Sequence, residues 1–249
     1  MTKLDWNKFK PRWGTWAPQM EPFFDRGGMD PIYAHLKAQS DKGKQIAPVS
    51  KNTFRCFTET PIEQLKVAVF GMCPYHSIVD SQVVADGLCM GCSTTRVLQP
   101  SLQKFYEGLE YELYNGLCLL CYWSPSVSYL TEQGVLMANV ALTTEIGQPG
   151  AHQELWEDFT KMLICDIIIP TGVPIVLLGK DAQKFSGCVP ASYPLFELYH
   201  PAYAAYMSTK DKPVVWETKG TFSSINRLLT DAGKDEIMWL QTRLHELDD

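Results

Sequence analysis

The sequence predicts an α/β protein, a single domain in which helices flank a central four-stranded parallel sheet. Three observations support this fold class. The chain has 249 residues, which is enough for one large domain with a substantial core. Short apolar runs with the length of buried strands alternate with segments of helical spacing, and no repeat or linker-like stretch divides the chain. The predicted strands are Val67–Phe70, Val135–Ala138, Ile175–Leu178 and Leu195–Tyr199.

The domain is expected to have three parts: an N-terminal aromatic-rich arm and helix over residues 1–44, a core over residues 45–230 and a C-terminal helix over residues 231–249. Aromatic side chains of the arm are expected to pack onto the core. Asp30 and Pro31 predict the start of the arm's helix, because they suit the N-cap and the first helical position. Further helices are predicted over Ser101–Leu113, Leu155–Ile164, Thr221–Leu229 and Ile237–Leu247.

Composition narrows the function classes. No apolar run is long enough to span a bilayer, and the N-terminus lacks the apolar core of a signal peptide, so we expect an intracellular protein without a membrane partner. In such a compartment the eight cysteines are expected to be mostly reduced thiols. The formal net charge is −6, which lacks the basic footprint of a protein that binds phosphate backbones, although a local patch can suffice.

The first predicted strand ends in a cluster of reactive side chains. Gly71 ends the strand and Pro74 forces a tight turn, so Cys73, Tyr75 and His76 stand at the strand's carboxyl end. Open α/β sheets hold their ligand crevices at that edge. Taken alone, this stretch is also explained by packing, with a buried thiol, a packed phenol and a solvated imidazole.

Two further predicted strands end in polar groups. Asn139 follows the second strand, and His200-Pro201 follows the fourth. Carboxyl ends of parallel strands meet at one edge of a sheet, so an amide and an imidazole are expected beside Cys73 and Tyr75.

With these residues in place, the chain resembles the uracil-DNA glycosylase superfamily, and within it the first family. That family has a Gly-Gln-Asp-Pro-Tyr-His strand end followed by Gly-Leu-(Ala/Cys)-Phe-Ser. It also has a Leu-Leu-Leu-Asn strand leading to Leu-Thr-Val, and a His-Pro-Ser-Pro-Leu-Ser loop. The resemblance extends over about residues 45 to 230 in the same order. The counterparts here are Gly71–His76, Gly87–Gly91, Val135–Asn139, Leu142–Thr144 and His200–Ala205.

The resemblance implies a DNA glycosylase that flips uracil, or a related base, out of DNA and hydrolyses its N-glycosidic bond. Asn139 matches the amide that recognises the Watson–Crick edge of uracil, which one acceptor and two donors suit. Tyr75 matches the ring that fills the space beside C5 and rejects thymine's methyl group. His200 matches the imidazole that hydrogen-bonds the developing uracil oxyanion. Met72 and Met90 complete the implied base-binding set.

The resemblance also exposes a departure at the catalytic centre. The family's catalytic carboxylate falls on Cys73, a thiol with an ordinary pKa of about 8.5 that is mostly neutral at pH 7. A neutral thiol stabilises an oxocarbenium-like sugar poorly, so reduced activity is expected. The family's stacking Phe falls on Met90, which lacks a flat ring, and the preceding family His falls on Asp86.

The implied DNA-binding residues are altered as well. The family's Ser and Pro become Ala202 and Tyr203, and its wedge Leu falls on Ala204, although Tyr206 could serve instead. A basic family position is Glu145, which is expected to repel phosphate. Duplex DNA is therefore expected to bind weakly or differently. The full implied DNA-binding set is His76, Pro201, Ala202, Tyr203, Ala204 and Tyr206.

Two cysteine pairs leave a choice open. Cys89 and Cys92, then Cys118 and Cys121, have a spacing typical of zinc or iron–sulfur sites. The apolar surroundings of the second pair favour buried free thiols instead. Members of the superfamily with a four-cysteine cluster place it elsewhere in the chain. We expect no metal and no cofactor.

Three functions remain in competition. The first is a glycosylase for uracil or a related base, acting on single-stranded or duplex DNA. The second is an inactive protein of the same fold that binds DNA or a replication or repair partner, which the missing carboxylate motivates. The third is a glycosylase for a modified pyrimidine, which Met90 favours and Tyr75 opposes.

Overall fold

A computed structural model describes residues 4–116, 121–206 and 215–242. Four strands form the central sheet, and short strands pair outside it. The strands are β1 (Ile46–Ala47), β2 (Val67–Gly71), β3 (Ile78–Val79), β4 (Gln82–Val83), β5 (Cys121–Tyr122), β6 (Val135–Asn139), β7 (Thr144–Glu145), β8 (Ile175–Leu178), β9 (Leu195–Leu198) and β10 (Gln241–Thr242).

Helices cover both faces of this sheet. The segment after α7 winds as a π-helix over Leu163–Ile168, and short 3₁₀ turns cap several connections. The α-helices are α1 (Trp6–Phe9), α2 (Ala17–Asp25), α3 (Met29–Asp41), α4 (Arg55–Glu59), α5 (Pro100–Tyr114), α6 (Ser128–Thr131), α7 (Gln153–Met162), α8 (Lys180–Gln183), α9 (Pro201–Tyr206) and α10 (Thr221–Asp231).

The central sheet has the strand order β6-β2-β8-β9, and all its strands run parallel. Strands β2, β6 and β8 are buried along their whole length, which explains why their sequences are continuous apolar runs rather than alternating ones. The predicted fold class is confirmed. In the register of the sheet, Gly71 lies opposite Asn139, and Leu178 lies opposite Leu198.

The strand order places a switch point between β2 and β8. The chain leaves β2 towards β6 on one side, and it leaves β8 towards β9 on the other. Two connections that diverge in this way open a crevice at the carboxyl ends of the strands, where open α/β sheets bind their ligands.

The N-terminal arm is helical and packs its aromatic rings on the core, as expected. Trp13 and Trp16 are fully buried, with the Trp13 ring centroid 5.6 Å from that of Phe159. Helix α3 starts at Met29, one residue before the predicted cap, so Asp30 lies in its first turn. Gly28, which precedes α3, allows a close approach to α2, because a Cβ there would overlap the Phe23 ring.

The predicted C-terminal helix is wrong in the part that the structure describes. Helix α10 ends at Asp231, and residues 232–240 are not helical. The Asn226 side chain accepts from the Ile237 N–H at 3.0 Å and donates to the Ile237 carbonyl at 2.9 Å, which holds this segment extended. β10 then pairs antiparallel with β5. Residues 243–249 lie outside the described part.

Outside the central sheet, the segment after Asn139 includes β7, which pairs antiparallel with β1. Cys165 and Cys188 form a disulfide with Cα atoms 6.3 Å apart, and Cys121 is also disulfide-bonded, so the expectation of reduced thiols is wrong for these three. Among the described residues, no helix combines the length and the apolar character that crossing a bilayer requires.

Candidate active site

A cavity of about 330 Å³ opens at the carboxyl edge of the sheet, and we call it the strand-edge cavity. The ends of β2, β8 and β9 all reach it, together with α5 and the segment before α7. Its volume lies at the small end of the range for ligand pockets. Its lining residues are Met72, Cys73, Pro74, Tyr75, His76, Ser101, Pro149, Leu178, Gly179, Lys180, Asp181, His200 and Ala202.

Backbone hydrogen bonds fix the turn that follows β2. The N–H of Ala141 donates to the Met72 carbonyl at 3.1 Å, and the N–H of Gly147 donates to the His76 carbonyl at 2.8 Å. The connection after β6 therefore lies along the β2 turn and holds it in place. The side chains of Cys73 and Tyr75, which belong to this turn, line the cavity.

The Cys73 thiol is neutral at physiological pH. Burial raises the pKa of this thiol to about 11, and the nearby Asp181 carboxylate adds to the rise. The thiol therefore provides no negative charge in the cavity. It behaves as a small, soft side chain rather than as a base or a nucleophile.

His200 is a neutral imidazole with a defined tautomer. Its Nδ1 accepts a hydrogen bond from the Ala202 N–H at 3.1 Å, so the neutral ring carries its proton on Nε2. Burial lowers the pKa of His200 to about 4, and the charge of Asp181 opposes this only in part. The cavity thus contains a neutral N–H donor across the whole physiological pH range.

Asn139 and Met90 are not among the residues that line the strand-edge cavity. Asn139 is 6% exposed, and its Oδ1 lies above Gly71, where a Cβ would approach it to 2.8 Å. Met90 is equally buried and adopts a left-handed backbone with φ of 61°. The structure therefore brings Tyr75 and His200 into one cavity and leaves the Asn139 amide outside its lining, beside Gly71.

The implied DNA-binding residues separate by exposure. Ala204 is fully buried and Pro201 is buried, so neither side chain lies at the surface. Tyr203 is 47% exposed and stacks on Tyr199, with ring centroids 5.1 Å apart. His76 and Ala202 line the cavity. Tyr206 ends α9, and its side chain lies outside the described part.

Glu145 does not repel phosphate in the way its position suggests. Its side chain is 7% exposed, and its carboxylate pairs with the Lys44 ammonium at 2.8 Å. The charge is neutralised within the chain, so the expected repulsion is not presented to a ligand.

The segment that contains the Gly87–Gly91 counterpart is held together by a buried carboxylate. In residues 86–93, which we call the Asp86 loop, the Asp86 carboxylate accepts from the N–H groups of Leu88 and Ser93, each at 3.1 Å. The same carboxylate lies 3.0 Å from an Arg55 nitrogen. Cys89 and Cys92 in this loop are buried free thiols, while Cys118 lies outside the described residues.

Lys180 and Asp181 were not predicted as site residues from the sequence. They follow β8 directly and line the strand-edge cavity. Asp181 is the one carboxylate among the described residues that form the lining, and Lys184 holds it at 2.6 Å. The signal was available, because the strand-end rule that selected Tyr75 and His200 applies equally to the third predicted strand.

No protein-family model matches the chain. Curated relatives do match it. The uracil-DNA glycosylase of Coxiella burnetii (strain RSA 493 / Nine Mile phase I) is 30% identical over 231 residues, covering 89% of this chain and 90% of that protein. The uracil-DNA glycosylase of Aeromonas hydrophila subsp. hydrophila is 31% identical over 211 residues, covering 83% and 88%.

Solved structures show the same fold. The crystal structure of mimivirus uracil-DNA glycosylase superposes with a TM-score of 0.79 at 21% identity, covering 95% of this chain and 90% of that one. Its Y322F variant, solved in complex with UGI, also gives a TM-score of 0.79.

The parallel sheet and the curated relatives at 30% and 31% identity place this chain in the class of DNA glycosylases. The chain belongs to the uracil-DNA glycosylase family.

Proposed function

We propose that this protein excises uracil from DNA, at a rate limited by the thiol at position 73. One observation carries the proposal: the strand-edge cavity combines a neutral His200, protonated on Nε2, with Tyr75. An imidazole in this state is a preorganised donor for an anionic leaving group. Membership of the family supports uracil as that leaving group.

The reaction needs one water and no cofactor. The bond between C1′ of the deoxyribose and N1 of uracil breaks, water adds its oxygen at C1′, and the base departs as an anion before taking up a proton. His200 Nε2–H donates to the uracil oxygen on which charge develops. Asn139 recognises the base edge, and Tyr75 fills the space beside C5.

Asp181 supplies part of the missing negative charge. As C1′ loses the base, positive charge builds on the sugar, and a carboxylate close by stabilises it. The charge of Asp181 raises the pKa values of both Cys73 and His200, which supports its proximity to the reacting region. We assign it the electrostatic role that the family gives to the residue at position 73.

Single-stranded DNA is the preferred form of the substrate. A flipped base costs least to extract from an unpaired strand, and the buried Ala204 offers no wedge to hold a duplex open. Lys180 is exposed at the mouth of the cavity, where an ammonium can contact a phosphate.

The test is a single-turnover assay on a uracil-containing oligonucleotide, with abasic product measured by alkaline cleavage. Cys73→Asp restores the carboxylate, and we expect its rate to rise by about 10²–10⁴. Asp181→Asn is expected to lower the wild-type rate about 10–100-fold, equivalent to about 1.4–2.7 kcal/mol. Asp158→Asn, an exposed charge on α7, is the matched control and should leave the rate unchanged.

Absence of abasic product from both the wild type and a folded Cys73→Asp variant would overturn the proposal. The neutral Cys73 thiol then favours the second candidate, an inactive protein that binds DNA or a repair partner through the same edge. Retention of uracil-containing oligonucleotide by the wild type, without cleavage, is the expected result for that candidate.

A further inference from the structure

A second cluster of ligating side chains lies where the N-terminal arm meets the core. His35 comes from α3, Glu145 from β7, and His152 immediately precedes α7. The nitrogen and oxygen atoms that these residues could offer a cation all lie within 4.8 Å of one another. None of the three lines the strand-edge cavity.

His152 is the residue that most needs an explanation. Its side chain is fully buried, and its Nδ1 lies 2.9 Å from the Thr143 hydroxyl, which also accepts from the Trp156 indole N–H at 2.7 Å. Its Nε2 is buried and has no hydrogen-bond partner among the described residues. A buried polar atom without a partner costs about 1–3 kcal/mol, so such an atom calls for a partner, for example a water molecule or an ion.

The surroundings of that nitrogen point towards a cation. Glu145 Oε1 lies 3.9 Å from His152 Nε2, and the His35 ring meets the His152 ring edge to face, with centroids 5.3 Å apart. The other neighbour of the His35 ring is the Gln39 amide nitrogen, 3.4 Å from Nε2. Two imidazoles and a carboxylate thus converge on one small volume.

Glu145 can give one oxygen to a cation and keep the other in the protein. Its Oε2 accepts from Lys44 at 2.8 Å and from Gln148 at 3.1 Å. Its Oε1, the atom nearer His152, accepts a hydrogen bond from Lys44 alone among the described residues, at 3.0 Å. A metal at Oε1 would therefore compete with the Lys44 ammonium and leave the Oε2 contacts intact.

We propose that His35, Glu145 and His152 bind a divalent transition metal of the zinc class. Two nitrogens and one oxygen suit such an ion, whereas magnesium and calcium prefer oxygen ligands alone. Bonds of about 2.0–2.2 Å to three ligands require the side chains to close by about 1 Å and leave a fourth position for water. The metal ties α3 of the arm to the core, and so stabilises the folded chain.

Zinc titration by calorimetry tests the proposal, with cobalt as a spectroscopic probe. We expect the chelator-treated wild type to bind one equivalent of zinc and to show the visible bands of tetrahedral cobalt. His35→Ala, at a partly exposed position that tolerates truncation, should lose the bands and most of the affinity. His76→Ala removes an imidazole elsewhere and is the matched control, expected to bind zinc like the wild type.

Lys44→Gln makes the test sharper. Removal of the competing ammonium should tighten zinc binding, whereas a merely structural Lys44–Glu145 pair would give no change in affinity. At zinc 100-fold above its dissociation constant, the melting temperature should rise by about 5–10 °C in the wild type and not in His35→Ala. Equal zinc binding by the wild type and His35→Ala would overturn the proposal. So would the absence of zinc binding by the wild type at a zinc concentration on the order of 100 µM.

Discussion

The Asp86 loop and the strand-edge cavity each contain an aspartate, and the two are held in opposite ways. Asp86 is 1% exposed and accepts from two backbone N–H groups, while Arg55 neutralises its charge. Asp181 has Lys184 as its ion-pair partner, and its side chain is 31% exposed. An acid whose lone pairs are all satisfied by the chain fixes structure, whereas an acid open to a cavity remains available to a ligand.

The largest expected difference between the two aspartates is in how much each stabilises the fold. Asp86→Ala leaves two N–H groups without their acceptor and leaves Arg55 with Glu59 as its carboxylate partner, so we expect a loss of about 2–4 kcal/mol in the free energy of unfolding. Urea denaturation measures it. Asp181→Asn breaks only a solvent-exposed pair and should cost less than about 1 kcal/mol. Equal losses in the two variants would contradict the distinction.

A substitution in the strand-edge cavity should change the excision rate more than the free energy of unfolding. His200→Asn removes the neutral Nε2–H donor, so we expect the single-turnover excision rate to fall about 10²–10³-fold. Urea denaturation of the same variant should show a far smaller change than that of Asp86→Ala. If His200→Asn keeps the wild-type excision rate, His200 has no role in the reaction.

A glycine that follows β8 controls where His200 lies, so its substitution should affect both activity and stability. Gly179 has φ of 84°, and a Cβ there would come within 2.8 Å of His200 Cβ. Gly179→Ala should therefore displace the imidazole, lower the excision rate and cost about 1–3 kcal/mol of stability. Gly187→Ala is the control, since nothing lies within 4 Å of its added methyl group. Similar losses of activity and stability in Gly179→Ala and Gly187→Ala would show that the region around α8 does not tolerate added methyl groups in general.

The smallest expected effect is the pH dependence from His200. Its folded pKa of about 4 lies below the ordinary value of 6.5, so between these pH values the unfolded chain binds a proton that the folded chain does not. The free energy of unfolding should therefore fall as pH drops from 7 to 5. His200→Asn should lose less over this range. Burial also lowers the pKa of His152. This effect is present in both the wild type and His200→Asn, so it cancels when their pH dependences are compared.

The sheet and its edge could be predicted because local sequence determines them. Continuous apolar runs bounded by Gly71, Asn139 and Gly179 have the length of strands buried on both faces, and the structure contains them almost residue for residue. The meeting of Tyr75 and His200 then follows from parallel topology, which places all carboxyl ends at one edge.

What the sequence did not reveal depends on partners distant along the chain. The tail was predicted to be helical because Ile237, Leu240, Leu244 and Leu247 repeat at helical spacing. Contacts with Asn226 and Phe222, which are distant in sequence, hold its first part extended instead. The neutralisation of Glu145 depends on Lys44, 101 residues earlier. The Cys165–Cys188 bond likewise joins elements that no local pattern relates.

The pairing of Gly71 with Asn139 has a consequence for how this protein can diverge. Both residues occupy the last rung of the β2–β6 ladder, so the height of the amide is set by main-chain hydrogen bonds and not by the loops beyond them. Residues beyond the strand ends, such as Cys73 and Tyr203, can therefore be substituted without changing the backbone position of Asn139. The segments after β2 and β9 can accordingly be exchanged independently of the β2–β6 pairing.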